Sequence, residues 1–267
     1  AKRKRKVRDQ RYDATSKALS AARFNLYTIG TRVSLGHDVI CEELTYWASH
    51  GEQVLGFVGR DRIDDDYSYA IFVRDRVGRF RFVTGKCSLP SASHAEEALR
   101  EKIAATVAEG NLAALGAQGD EPNAPFDVLT VPQATDRSQL HPFFKILSEN
   151  EERAPARATI REIAPWLAPT DPHFIKEFQG DGFNQRLWEM YLWAAFRDLG
   201  IDVEQPEAPD FHCNRLGFQF TVEAPTVAPS RTGLLATPPN PETPAEMMEL
   251  DTSRNPAASA DEGGLRL

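Results

Sequence analysis

Residues 183–226 read FNQRLWEMYLWAAFRDLGIDVEQPEAPDFHCNRLGFQFTVEAPT, and the fold turns on how this stretch divides. From about Asn184 to Leu199 it predicts a helix. Leu187, Trp188, Met190, Tyr191, Leu192, Trp193, Ala195 and Phe196 place apolar groups on nearly every side, the pattern of a buried helix. Ile201–Glu204 predicts a short strand. Phe218, Phe220, Val222 and Ala224 alternate with Gln219, Thr221 and Glu223, the clearest strand signal in the chain. Ahead of it, Pro209-Asp210-Phe211-His212-Cys213 alternates in the other phase, and Asn214 to Gly217 supplies turn residues. The expected unit is a helix, a strand and a hairpin, with Glu189 on the helix and Asp210 and Glu223 on the two hairpin arms.

Each of these acids has two readings. Glu189 sits in an apolar helix, where an unpaired carboxylate is costly. Either it has a structural place, paired with Arg186 three residues earlier on the same face or emerging at the helix edge, or a metal ion faces it. An even-numbered loop puts Asp210 and Glu223 on one sheet face. A turn centred on Leu216-Gly217 opposes them directly, with Cβ atoms about 4.5–5.5 Å apart; a turn centred on Arg215-Leu216 sets them diagonally. Carboxylates that close ask for a cation or a raised pKa, unless they merely line the solvated side of the sheet.

Upstream, the pattern changes twice. Gln53–Gly59 predicts a strand, and Asp61-Arg62-Ile63-Asp64-Asp65-Asp66 an acidic turn. Tyr67–Arg74 sets Tyr67, Tyr69, Ile71 and Val73 on one face. In Arg79–Thr84, Phe80 and Phe82 take one side and Arg79 and Arg81 the other. Ser93-His94-Ala95-Glu96 fits a capping box opening a helix to about Glu109, with Gly110 as its stop. Residues 12–50 are mixed, with a helix expected near His37 to Ser49 carrying Val39, Ile40, Leu44 and Trp47. An antiparallel sheet with a helix packed on it follows, so residues 13–112 are expected to form an α+β domain. The aspartates at 61 and 64–66 either hold a cation or serve solubility; no calcium-loop glycine and bidentate glutamate complete them.

Residues 113–137, rich in Gly, Pro, Asn, Asp and Gln, read as a linker. Helical segments are expected at Leu140–Asn150, Pro155–Leu167 and Pro172–Phe178, with Pro165 ending or kinking the second. They lead into the core that closes near residue 228. Residues 1–12 are a basic, flexible terminus, either a phosphate-binding arm or a solvated tail. Residues 229–267 are proline-rich, acidic and expected to be disordered.

Among 267 residues, 41% are hydrophobic and 26% charged, a globular composition. A net charge of −8 argues against bulk affinity for nucleic acid but leaves room for a local basic groove. No run is long enough to span a membrane and no leader opens the chain, so a cytoplasmic protein is expected. Cys41, Cys87 and Cys213 lie far apart and give neither a disulfide framework nor zinc spacing.

The helix with Glu189, the strand after it, Pro209-Asp210 and Glu223-Ala224-Pro225 together resemble the PD-(D/E)xK nuclease superfamily, the restriction-endonuclease-like fold. The wider chain also looks like a group of uncharacterised bacterial proteins that join a domain like residues 53–110 to such a region. The resemblance implies an α-β-β-β-α-β core, a Mg²⁺- or Mn²⁺-dependent nuclease acting on DNA, and Glu189, Asp210 and Glu223 as catalytic metal ligands. It also implies substrate contacts from Asn184, Gln185 and Thr226. Such a metal would lower the pKa of a bound water and stabilise charge on phosphate. Pro225 stands where the superfamily carries lysine, and the sequence after Val227 supplies no fourth strand. An inactive or truncated nuclease-like binding or scaffold module, and an unrelated α+β protein whose acids are surface residues, are the alternatives.

Overall fold

A computed structural model describes residues 15–31, 39–122, 127–167, 173–206 and 208–226. The basic terminus and the proline-rich tail lie outside the described residues. The fold is mixed α+β: an antiparallel five-stranded sheet, a helical middle and a small antiparallel three-stranded sheet.

The first sheet is a meander of β1 (Ser16–Leu19), β2 (Cys41–Ser49), β3 (Val54–Asp61), β4 (Tyr67–Arg74) and β5 (Phe80–Leu89), in that spatial order. Helix α1 (Ala21–Tyr27) follows β1, and α2 (Ala92–Glu109) and α3 (Leu112–Leu115) follow β5. Alternate residues of β3 and β4 pack on opposite faces of the first sheet, whose two layers form the first core. Val54, Val58, Ile71 and Val73 pack with Ala95, Leu99 and Ile103 of α2. Leu55, Phe57 and Ala70 pack with Phe24 and Tyr27 of α1. A sheet buried on both faces needs no polar side, which explains the unbroken apolar run VLGFV in β3. Gly56 permits the close approach of α2: a Cβ there would lie 2.3 Å from Leu99 Cδ1.

Three expectations need correction here. The helix expected near His37 to Ser49 is largely strand β2, although His37 itself lies outside the described residues. Val39, Ile40 and Leu44, which imitated a buried helical stripe, are exposed. Thr45-Tyr46-Trp47, β-branched and aromatic, suits the strand that pairs with both β1 and β3. The capping residue of α2 is Ser91, not Ser93, and its side chain accepts from the His94 amide. Gly110 stops the helix as expected, at φ 68°.

The segment after α3 packs rather than hangs free. Asp120 accepts from both Arg79 (3.1 Å) and Arg81 (2.9 Å), and Val128 and Leu129 are buried in the second core. That core gathers α4 (Pro142–Glu149), α5 (Ala154–Ile163), α6 (Phe174–Gln179) and α7 (Phe183–Asp198). Pro165 falls in a 3-10 turn, Ala164–Trp166, that closes α5. Glu162 of α5 takes two hydrogen bonds from Arg74 of β4, at 3.0 and 2.8 Å, joining the helical middle to the first sheet.

Helix α7 is the third correction. Met190 and Trp193 are buried, but Trp188 and Tyr191 are 40% and 60% exposed and stack on each other. The helix is covered on one side only. After it come β6 (Asp202–Glu204), β7 (Phe211–Arg215) and β8 (Phe218–Val222). Phe211 and Cys213 are buried in the second core with Phe220 and Val222 packed against it, while His212, Gln219 and Thr221 are exposed. The strand phase read from the sequence therefore matches the packing.

Candidate functional site

Arg215 pairs with Phe218, so the hairpin turn is Leu216-Gly217, with φ of 51° and 84°. Two positive φ values mark the primed turn whose twist suits a tight hairpin. Asn214 Oδ1 secures the turn by accepting from the Gly217 amide at 3.0 Å. The register runs through Phe211–Val222, and its next step places Asp210 opposite Glu223. Of the two geometries considered, this is direct opposition.

Opposition in register does not make a carboxylate pair. Asp210 Oδ2 accepts from the backbone amide of Ala224 at 2.7 Å and so caps the end of β8. Glu223 is exposed. Its strand phase groups it with Gln219 and Thr221, on the face opposite the core-facing Val222 and Ala224.

Glu189 approaches from the core side. It is 4% exposed, and both of its oxygens are engaged. Oε1 accepts from Gln185 Nε2 at 2.9 Å, and Oε2 accepts from Arg186 Nη1 at 2.9 Å. The ion pair with Arg186 is one of the two readings the sequence leaves open. Glu177 of α6 joins it, accepting from Arg186 Nε at 2.8 Å and from Nη2 at 2.5 Å. Burial pulls the Arg186 guanidinium down, but the hydrogen bonds and charges of Glu189 and Glu177 outweigh it and hold the group above its ordinary value.

Gln185 connects the two halves. Besides Glu189, its Nε2 reaches the Ala224 carbonyl at 2.8 Å, and its Oε1 accepts from the Thr226 hydroxyl at 2.6 Å. Ala224 is thus held by its carbonyl from α7 and by its amide from Asp210. Gln185 and Asp210 grip one backbone unit, and Glu189 and Thr226 are tied to it through Gln185. Asn184 and Glu223 are exposed, and Pro225 brings no cation to the strand end. Glu177 and the Ala224 backbone are the parts of the site that sequence pattern did not supply. Glu177 is distant along the chain, and a backbone contact leaves no residue-type signal.

Among the described residues, no three His, Cys, Asp or Glu side chains are grouped to hold a metal ion. The donor chemistry agrees, since the buried Glu189 carboxylate, already paired with the half-buried Arg186 guanidinium, offers little to a divalent cation. Cys213 gives no nucleophile either: burial pushes its thiol up, and His212 points to the other face. Among the described residues no helix is long and apolar enough to cross a membrane. Comparison with family models, curated proteins and solved structures gives no match to the chain.

Proposed function

We propose that α7 with β6–β8 is a binding or scaffold module that has the chain order of a metal-dependent nuclease without its hydrolytic metal site. One observation carries this reading. Both oxygens of Glu189 are committed inside the protein, to Gln185 and to the Arg186 guanidinium. Arg186 supplies the positive charge that a metal would otherwise bring. The exposed Trp188–Tyr191 stack and Phe218 give the unit apolar surface for contact.

The test is calorimetric titration with Mg²⁺ and Mn²⁺ beside a plasmid-DNA cleavage assay. Wild type is expected to take up neither ion at the site and to cleave no DNA. Metal-dependent cleavage that disappears in Asp210→Ala overturns the reading. That result would favour the second reading, a Mg²⁺- or Mn²⁺-dependent DNA nuclease. The bonds that link Glu189, Thr226 and Ala224 to Gln185, and Ala224 to Asp210, support it. It requires Arg186 to release Glu189, so Arg186→Met would then strengthen metal binding.

A further inference from the structure

His141 precedes α4 and occupies an unusual position for a titratable group. It is 7% exposed, and its ring stacks on Phe183, the first residue of α7, at 5.2 Å and 20° between planes. Its Nδ1 caps α4 by accepting from the Phe143 amide at 3.2 Å. An accepting Nδ1 requires the neutral ring with its proton on Nε2. The backbone of His141 is also fixed, its amide donating to the Gln179 carbonyl at 2.9 Å. One residue therefore ties the start of α4 and the end of α6 to the start of α7. Gln185 lies in the first turn of α7 and Glu189 in the next.

We propose that His141 is an acid-sensitive latch that holds the start of α7, with Gln185 and Glu189, against α4. Protonation converts the Nδ1 acceptor into a donor, so the cap bond to Phe143 is lost. It also places a positive charge at the positive end of the α4 dipole. Two features work the other way: Asp181, before α7, attracts the imidazolium, and the Phe183 face gives it a cation–π contact. On α4 the ring meets Phe143, and on α6 the His141 backbone amide meets the Gln179 carbonyl; neither group carries a charge. Burial prevails and pushes the His141 imidazole below its ordinary value, with Asp181 opposing. The folded ring thus binds its proton less readily than the unfolded one. Its contribution to stability is complete above the ordinary histidine value, about 6.5, and is lost as pH falls below it. The latch operates whether the unit binds or cleaves, so it stands apart from the functional reading above.

Urea midpoints and hydrogen exchange at the first turn of α7, measured between about pH 7.5 and about pH 5.5, test the latch. Asn in place of His141 keeps a capping acceptor that does not titrate. Wild type is expected to lose midpoint and exchange protection in acid, and His141→Asn to lose less of both. Equal acid losses in the two proteins overturn the proposal. Nuclear magnetic resonance titration of the wild-type imidazole gives a second check that needs no variant. A ring that titrates at or above the ordinary histidine value also overturns it.

Discussion

The two sheets solve burial in different ways. The five-stranded sheet is covered on both faces, by α2 on one and α1 on the other, and its central strands are apolar on both. The three-stranded sheet is covered on one face; the other carries Asp202, Glu204, His212, Gln219 and Thr221 beside an open cleft. Stability in the first therefore rests on packed area. In the second, packing on one face is supplemented by polar ties that join α7 to the strand ends. The lesson is that the candidate site coincides with those ties, so its carboxylates already have structural work.

The sharpest way to break this comparison is to remove one tie. Arg186→Met leaves Glu189 buried without its counter-charge and should cost about 4 kcal/mol in urea denaturation. Replacing Glu189 as well, in Arg186→Met with Glu189→Met, should recover most of that loss. A single variant as stable as wild type would show that the pair is not structural. Next in size is the packed sheet. Leu99→Ala, at a fully buried position under the first sheet, should cost about 3 kcal/mol. Thr221→Ala on the open face should stay within about 0.5 kcal/mol. Equal costs at the two positions would erase the contrast. The smallest effect is expected at the hairpin tip, where Leu216 holds φ 51° without being a glycine. Leu216→Asn should raise the unfolding midpoint by an amount equivalent to about 0.5–1 kcal/mol, because Asn tolerates that backbone region better. A loss of stability there would mean that the 79%-exposed Leu216 side chain makes a contact of its own.

Much of this was legible in the sequence where periodicity and burial agree. The hairpin strands announced themselves because one face of each is buried, and the helix from Phe183 by its apolar content; Tyr67–Arg74 showed one core-facing row, but Ala70 and Phe72 are covered on the other face as well. Strand β2 did not, because Val39 and Ile40 just before it and Leu44 within it lie at the surface and only by accident follow helical spacing. The exposure of Trp188 and Tyr191 was equally hidden, since aromatic content alone does not tell which side of a helix meets solvent. At the site, the pairing of Arg186 with Glu189 could be read from a three-residue spacing. The bond from the Ala224 amide to Asp210 could not, because it depends on the hairpin register that Leu216-Gly217 sets.

The grip on Ala224 also has a mechanical consequence. The chain leaves the second sheet at this residue, with its amide held by Asp210 and its carbonyl by Gln185, while Thr226 adds a third bond to Gln185. A load applied to the chain beyond Thr226 is therefore passed to α7 before it reaches the strand pairing of β7 and β8. The helix acts as an anchor, and the hairpin is shielded from being peeled open at its end.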